Sequence, residues 1–309
     1  MQLRADTTNK RDAAIGIALA IVGVLAFSMK TILVKLAYVE VQDAVTLLAL
    51  RMAVSGPVFL LVALRAPGEK MDARGFGSAV LLGIIGYYGA SFFDFAGLEY
   101  VSAGIGRLIL FTYPTIVVLL SLAIFGTRPS KREVAALIVT YIGVGCVVSS
   151  GFTAGNKDLL TGAGLIFGSA LLFSVYLIFS TNFTRRYGSL RFTAIAMCSA
   201  TVLCVGQFPV LRDWSALDLS WHTYGIVIAL GIGSTVLPTF AMGEALRRLG
   251  ATKVALLGGL GPVSTLLISV TGLEEKMSLL QIFGAVLVLG GVLLTTTKSK
   301  TPVPVQDPD

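Results

Sequence analysis

Charged side chains inside apolar segments are the first candidates for chemistry in this sequence. Six of them lie in stretches that are otherwise almost wholly apolar: Lys30, Lys35, Arg51, Asp94, Arg107 and Glu244. A lysine or arginine at the centre of a membrane helix costs about 2.5–3.5 kcal/mol, so such a group usually faces a cavity or a partner. Lys35 and Glu244 lie near the ends of their stretches, where a long side chain can reach water. The other four are the candidates for binding.

Asp94 and Arg107 fall toward adjacent ends of two neighbouring apolar segments, and two roles are open to them. They could form a structural ion pair, or they could line a site for an amino-acid zwitterion. A carboxylate is bound well by the fork of a guanidinium group, and an ammonium group by a carboxylate or an aromatic face. We predict that the polar part of a substrate cavity is formed by Lys30, Arg51, Asp94 and Arg107.

Aromatic side chains are concentrated around the same charged residues. Five of them lie within nine positions: Tyr87, Tyr88, Phe92, Phe93 and Phe95. Helical spacing places Tyr88 and Phe92 on one face and Asp94 nearer the face of Tyr87. A buried tyrosine hydroxyl needs a hydrogen-bond partner, which favours a cavity over lipid. We therefore predict four aromatic lining residues: Tyr88, Phe92, Tyr113 and Tyr176.

The elements that position these residues must be membrane helices. Of the 309 residues, 55% are hydrophobic and 13% charged, and the mean hydropathy is +0.85. A soluble protein of this size cannot bury so much apolar surface. Since about 20 apolar residues cross a bilayer, the sequence predicts an all-α integral membrane protein with ten spans: 13–37, 43–64, 75–97, 102–125, 131–150, 160–184, 190–210, 219–246, 252–273 and 278–297.

Basic residues are distributed unevenly between the two sets of loops that these spans define. One set, with both chain ends, carries 17 lysines and arginines, and the other set carries three. The positive-inside rule then places both termini in the cytoplasm. The same rule accounts for the net charge of +7, and because no separate basic domain exists, nucleic acid is not an expected partner.

The sequence also resembles itself at an offset of 148 residues. Pro114 then aligns with Pro262, and Leu82-Gly83-Ile84 aligns with Leu230-Gly231-Ile232. The predicted organisation is a tail (1–12), two five-helix repeats (13–150 and 151–297) and a second tail (298–309). Because five is odd, the second repeat enters the membrane from the opposite side. Such inverted repeats are typical of secondary transporters, in which substrate binds near the midplane.

Two interruptions fall within the fourth and ninth predicted spans. Loosened backbone at membrane depth is tolerated only against protein or a water-filled cavity. We therefore predict hinges at Pro114 in the first repeat and, in the second repeat, at Gly258, Gly259, Gly261 and Pro262.

Catalytic and metal-binding patterns are missing from the sequence. The three cysteines lie in apolar segments without metal-ligand spacing, which is typical of small buried hydrophobic residues. Neither an HExxH motif nor a GxSxG motif occurs. We expect no metal, no cofactor and no enzymatic activity.

The stretches GLEYVSAGIGRLILFTYPTIVVLLSLAIFG and ALRRLGATKVALLGGLGPVSTLLISVTGLEE carry a family resemblance. With ten spans and a five-span repeat, the chain from about residue 15 to 297 resembles the drug/metabolite transporter superfamily, and its halves resemble EamA-type domains. Within that superfamily it is most similar to YddG-type bacterial amino-acid exporters. One departure concerns a glutamate that often closes the fourth and ninth spans: Glu274 matches it, whereas Gly126 stands at the other position.

The resemblance implies a secondary transporter in the bacterial inner membrane. Its expected action is the export of amino acids, aromatic ones included, and of related small metabolites by alternating access. The alternatives are a carrier for a drug, an organic phosphate or a nucleotide-linked sugar, a passive channel, and a membrane enzyme. Several cations facing one site would favour an organic phosphate. Proton coupling and the oligomeric state are left open.

Overall fold

The computed structural model describes residues 2–66, 71–126, 129–153, 158–249, 257, 260–273 and 277–296. The described residues of the first part form seven α-helices and a π-helix: α1 (Gln2–Ala37), α2 (Ala44–Arg65), α3 (Ala73–Gly83), the first π-helix (Ile84–Gly89), α4 (Ala90–Leu98), α5 (Ala103–Leu110), α6 (Tyr113–Phe125) and α7 (Lys131–Thr153). The second part forms α8 (Leu159–Tyr187), α9 (Ser189–Leu211), a 3₁₀ turn (Trp214–Leu217), α10 (Trp221–Ile228), the second π-helix (Ala229–Val236), α11 (Leu237–Leu249), α12 (Leu260–Gly272) and α13 (Leu279–Thr296).

Apolar helices long enough to cross a bilayer account for most of the described chain. Eight such segments are found among the described residues, and their bounds agree with the first eight predicted spans to within a few residues. The two apolar helices that come after them, Leu260–Gly272 and Leu279–Gly291, are shorter. Much of the predicted ninth span lies outside the described residues. The structure is therefore that of an all-helical membrane protein, and the inverted repeat stays a prediction.

Short polar side chains begin several of these helices. Asp43, Asp72, Ser102 and Ser220 each accept a hydrogen bond from the backbone N–H three residues further on. Such caps satisfy donors that the first turn leaves without an intrahelical partner. At the other end, α6 stops at Gly126, whose φ of 67° lies in the left-handed region that glycine adopts without strain. The helix ends therefore follow from local sequence.

Three of the membrane segments are interrupted within their length. Between α5 and α6, Phe111 and Thr112 form a turn directly before Pro114, which lacks the N–H that would continue the ladder. Each of the two π-helices contains a backbone bond spanning five residues, from Ala90 N–H to Ile85 C=O and from Leu237 N–H to Ile232 C=O. A π-turn inside an α-helix is uncommon and often marks a functional site.

Helices of the two predicted repeats pack against each other in a regular pattern. At an offset of 148 residues, α2 is equivalent to α9 and α7 is equivalent to α13, with similar start and end positions. The two helices of each equivalent pair also contact each other directly. The same shift relates the contact between α1 and α11 to that between α8 and α4. It also relates the contact between α1 and α12 to that between α8 and α6. Each half therefore completes its packing with helices of the other half.

Candidate functional site

One buried ion pair lies at the centre of the predicted site. The Lys30 ammonium donates to Asp94 Oδ2 at 2.7 Å, joining α1 to α4. Asp94 is 3% exposed. The pairing of Asp94 with Arg107, one of the two roles left open by the sequence, is not what the structure shows. The partner of Asp94 is Lys30, and no carboxylate among the described residues forms an ion pair with Arg107.

Arg51 lies beside this pair on α2 and is almost completely buried, with 3% exposure. Its Nη2 donates to Ser91 Oγ at 3.1 Å, and its guanidinium carbon lies 4.8 Å from the centre of the Phe95 ring. Its buried Nε atom has no hydrogen-bond partner within the described ranges. Arg51 is therefore held by an aromatic face and one hydroxyl, and part of its donor capacity is unused.

Arg107 on α5 is held even more sparsely. Its guanidinium carbon lies 4.9 Å from the centre of the Phe111 ring, and the side chain is 9% exposed. No acceptor for its Nε is found among the described residues. Gly261 of α12 leaves room for the guanidinium group, because a Cβ on that glycine would lie 3.3 Å from Nη2. The four residues Lys30, Arg51, Asp94 and Arg107 are called the charged cluster below.

The charged cluster lies toward one end of the bundle, with one member from each of the first four spans. Lys30 and Arg51 are each seven residues from the nearer helix end, and Asp94 and Arg107 are each four residues from it. At 1.5 Å per residue these depths are about 10 Å and about 6 Å. The equivalents at an offset of 148 carry no charge: Ile178, Ser199, Met242 and Ala255. The cluster therefore belongs to the first half alone.

A series of aromatic rings in contact extends from the charged cluster to the middle of α8. The ring under Arg107, that of Phe111, contacts Tyr113 at a centroid distance of 5.8 Å, and Tyr113 contacts Phe173 at 5.4 Å. Phe173 stacks on Tyr176 at 6.0 Å. The Tyr176 hydroxyl lies 3.2 Å from that of Tyr87 in the first π-helix. Two predicted lining residues, Tyr113 and Tyr176, are thus joined through Phe173.

Tyr88 and Phe92, the other two predicted aromatic residues, form a separate pair. Their rings stack at 6.3 Å, and the Tyr88 hydroxyl donates to Gln207 Oε1 of α9 at 2.6 Å. Gln207 and Ser91 were missed in the sequence. An amide in the apolar C-terminal part of α9 was an available signal for Gln207, whereas Ser91 had none, because serines are common in membrane helices.

The predicted hinges fall into two groups. Pro114 follows the turn between α5 and α6, as expected for a break. Gly261 and Pro262 lie in the first turn of α12, where the Gly261 carbonyl accepts from Ser28 Oγ of α1 at 2.9 Å. Gly258 and Gly259 lie outside the described residues. A hinge function at these positions stays a prediction.

Polar bonds between the two predicted halves close one end of the bundle. Glu40, in the turn after α1, accepts from the N–H and hydroxyl of Ser220 at 2.8 and 2.7 Å and from the hydroxyl of Thr223. Beside it, Arg212 forms an ion pair with Asp43 at 3.0 Å. Glu40, Ser220 and Thr223 are called the first latch. It lies at the same end of the bundle as the charged cluster.

A second set of polar bonds joins the halves at the opposite end of the bundle. Asp72, which caps α3, accepts from the Tyr187 hydroxyl at 2.9 Å and lies 3.7 Å from Arg186 Nη2. Arg191 donates to the Ala66 carbonyl at 2.6 Å. Asp72, Arg186 and Tyr187 are called the second latch. Each latch includes the residue that caps the third span of one predicted repeat: Asp72 caps α3 in the first repeat, and Ser220 caps α10 in the second.

Hydrogen bonds shift the acidity of both latch carboxylates. Donation from the hydroxyls of Thr223 and Ser220 and from the Ser220 N–H lowers the pKa of Glu40 below its usual 4.5. Donation from the Gly75 N–H and the Tyr187 hydroxyl lowers the pKa of Asp72 below its usual 3.8. Because each pKa is lowered in the folded protein, the stabilisation by each latch carboxylate is complete above the usual pKa of that group. Each is lost as the pH falls through the lowered value.

We expect Glu40→Gln to loosen the first latch at neutral pH. The neutral amide keeps an acceptor but loses the charge that strengthens all three bonds. Amide hydrogen exchange of Ser220 at pH 7 should become roughly fivefold faster than in the wild type. Asp213→Asn is the matched control, because Asp213 is exposed and close in sequence and makes the same charge change. Equal exchange rates in both variants and the wild type would contradict a role for the latch.

No group of three or more potential metal ligands was found among the described side chains. A groove of about 610 Å³ lies between α7 and α13, lined mainly by apolar side chains such as Val139, Val286 and Leu287. It includes none of the predicted site residues. The charged cluster, rather than this groove, is therefore the candidate functional site.

Comparison with known proteins defines the class of the molecule, a multi-span membrane transporter. The family model described as "EamA-like transporter family" matches residues 14–149 and again residues 160–297. The chain therefore belongs to the EamA-like transporter family.

Relatives extend over nearly the whole chain. The uncharacterized transporter YcbK of Bacillus subtilis (strain 168) is 26% identical over 311 residues, which cover 96% of each chain. YyaM from the same strain, also named an uncharacterized transporter, is 26% identical over 259 residues, covering 82% of this chain and 85% of its own. A crystal structure with 22% identity and a TM-score of 0.61 covers 91% of this chain and 97% of its own, and supports the fold. None of these names gives a substrate.

Proposed function

We propose that the protein is a secondary transporter that exports small metabolites, with amino acids as the predicted class, across the bacterial inner membrane by alternating access. The observation that carries this proposal is the charged cluster, which lies among membrane helices at the end of the bundle that carries the first latch. It contains two buried arginines whose Nε donors have no acceptor among the residues that the structure describes. A structural ion network would use its donors internally. Aromatic amino acids fit the same proposal, because rings of Phe111, Tyr113 and Phe173 continue inward from the cluster.

An inverted repeat of two five-helix halves is part of this proposal. The two matches to one family model, at 14–149 and 160–297, support two related units. The helix contacts that exchange partners at an offset of 148 residues support a two-fold relation between them. Such a relation allows two equivalent conformations, as alternating access requires. With both termini in the cytoplasm, as the basic loops favour, the charged cluster lies toward the outer side.

The two latches supply the alternating step in this mechanism. Opening the first latch separates Glu40 from the start of α10 and admits water from the end near the charged cluster. Opening the second separates Asp72 from Tyr187 and admits water from the opposite end. The turn before Pro114 and the start of α12 are the places where the helices can bend with least loss of backbone bonds. Transport needs the latches to open in turn.

Proton coupling remains part of the proposal through Asp94, the one carboxylate in the charged cluster. A proton bound there would release Lys30 and add to the positive charge of the site. Under this coupling, uptake would depend on an imposed pH gradient, and Asp94→Asn would abolish that dependence. Uptake that ignores the gradient in the wild type would make the protein a facilitated carrier.

Counterflow in liposomes tests the proposed function. Liposomes that contain the purified protein would be loaded with one unlabelled solute at a time. The panel comprises neutral, aromatic, acidic and basic amino acids, organic phosphates and drugs. We expect transient accumulation of the labelled form of at least one solute, saturating with concentration. Conduction without saturation or stimulation from the opposite side would favour the channel. No movement of any solute would contradict transport.

A reversible crosslink separates alternating access from passive conduction. With Glu40→Cys and Thr223→Cys introduced together, oxidation should close the first latch and stop counterflow, and reduction should restore it. The single variants Glu40→Cys and Thr223→Cys, treated identically, are the controls for the native cysteines Cys146, Cys198 and Cys204. Undiminished counterflow in the crosslinked protein would contradict opening at this latch.

A further inference from the structure

The charged cluster carries more positive than negative charge. It contains three cations, Lys30, Arg51 and Arg107, and one carboxylate, Asp94, which leaves two positive charges uncompensated. Lys30 is bonded to Asp94 at 2.7 Å, and Lys30 and Arg51 lie 5.9 and 4.8 Å from the centre of the same Phe95 ring. No second carboxylate in contact with them is found in the described part of the chain.

The hydrogen-bond donors of Arg51 and Arg107, like the excess of positive charge, indicate a site for an anion. Phe95 and Phe111 cover a face of each guanidinium group, and Ser91 takes one donor of Arg51. Both Nε atoms are buried, and the described part of the chain holds no acceptor for either of them. An arginine in a low-dielectric site is stable only when its charge and donors are matched. A carboxylate or a phosphate can match both at once, because either group accepts two parallel bonds from one guanidinium group. Arg51 and Arg107 lie on different helices, which favours two separate carboxylates, one for each arginine, over a single phosphate.

We propose that the transported solute is a small organic anion with two carboxylates, such as an acidic amino acid or a dicarboxylate, bound through Arg51 and Arg107. This inference rests on the proposed function and narrows its substrate. A dicarboxylate neutralises both excess charges and an acidic amino acid, with its ammonium group, neutralises one of them, whereas the zwitterion of a neutral amino acid carries no net charge and neutralises neither. An α-ammonium group, where present, lies near Asp94, which has one oxygen outside its bond to Lys30.

Thermal unfolding of the purified protein with single compounds tests the binding directly. The probes are L-aspartate and succinate as dicarboxylates, glycerol 3-phosphate as a phosphate, L-phenylalanine and L-leucine as neutral zwitterions, and L-lysine as a cation. We expect the dicarboxylates to raise the midpoint and the others to leave it unchanged, since a ligand of the folded state stabilises that state. A rise with phenylalanine or lysine alone would overturn the proposal. A rise with glycerol 3-phosphate alone would replace dicarboxylates by phosphates.

Variants of the two arginines assign the binding to this site. Arg107→Gln should raise the concentration of L-aspartate for half-maximal counterflow about tenfold or more, because a charged pair of hydrogen bonds is lost. Arg107→Lys should recover part of the affinity, since it restores the charge without the fork. Arg65→Gln, at an exposed position at the end of α2, is the control and should match the wild type. Equal affinity in all four proteins would overturn the assignment.

The two proposals fail in different ways. If phenylalanine or leucine undergoes saturable counterflow and the dicarboxylates do not, transport stands and the anion proposal is wrong. If no solute moves but L-aspartate still raises the unfolding midpoint and Arg107→Gln abolishes that rise, the anion site stands and transport is wrong. The unfolding midpoint of Arg107→Gln without ligand, compared with that of the wild type, shows whether its loss of binding is a loss of folding.

Discussion

Asp94→Asn is expected to lower the free energy of unfolding by about 3 kcal/mol or more. Breaking a buried ion pair by removing one partner typically costs about 3–5 kcal/mol, because the other charge remains buried without compensation. Here the remaining charge is Lys30, beside two arginines that are already unneutralised. Thermal unfolding in detergent should show a midpoint lowered by several degrees.

The double variant Lys30→Met with Asp94→Leu separates a structural role of the pair from a role in transport. Replacing both partners by apolar groups of similar size is often neutral for stability, so the unfolding midpoint should return close to that of the wild type. Counterflow should stay at least about tenfold lower, because the site has lost a cation and its only carboxylate. Full recovery of both properties would show that the pair only supports folding.

Glu244→Gln provides the matched control for Asp94→Asn. Glu244 and Arg248 form a pair of the same length, 2.7 Å, but their side chains are 35% and 22% exposed and lie one helical turn apart. Exposed pairs of this kind contribute about 0.2–1 kcal/mol. A loss of stability as large as that of Asp94→Asn would mean that burial is not what makes the Lys30 pair strong.

Gly83→Ala is expected to cost about 1–3 kcal/mol, although alanine is the better helix former. Gly83 lies where α3 meets α9, and a Cβ there would lie 2.7 Å from the Ala196 Cα and overlap the Ala196 carbonyl oxygen. Backbone cannot move aside as a side chain can, so the two helices must separate. Overpacking of this kind typically costs about 1–3 kcal/mol, and separation also removes the close contact that small residues provide between membrane helices.

Gly77→Ala, in the same helix, should have the opposite effect. A Cβ at Gly77 meets no atom within 4 Å, so the substitution adds no contact and raises helix propensity by up to about 1 kcal/mol. Midpoints of thermal unfolding for the two variants, measured in the same detergent, give the comparison. If Gly83→Ala were as stable as Gly77→Ala, the close approach of α3 and α9 would be refuted.

The sequence was sufficient to predict which charged residues lie in the membrane segments, but not which of them pairs with Asp94. That Lys30, Arg51, Asp94 and Arg107 lie in apolar segments was visible, because charge in a membrane helix is rare. Which of them are paired depends on how α1, α4 and α5 are rotated against one another, and helical periodicity within one segment does not determine that. Lys30 is the partner because α1 packs against α4, a contact between residues 64 positions apart in the chain.

Periodicity also failed within the third span, for a physical reason. Seven residues separate Tyr87 from Asp94, which in a continuous α-helix places them on nearly the same face. The structure instead directs Tyr87 to Tyr176 of α8 and Asp94 to Lys30 of α1. Tyr87 lies in the first π-helix, which ends at Gly89 before Asp94, and its wider turn adds a residue that rotates the remainder of the span by about 100°.

The same π-helix affects how sequences of this kind must be aligned. Insertions and deletions are usually placed in loops, where the chain tolerates a change in length. The wide turn at Ile84–Gly89 holds one residue more than an α-helix of equal height, deep within a membrane segment. A relative with a plain α-helix there is one residue shorter at that point. Matching its residue to Asp94 then requires a one-residue gap inside the third span, and an alignment without that gap would assign the buried carboxylate to the wrong position.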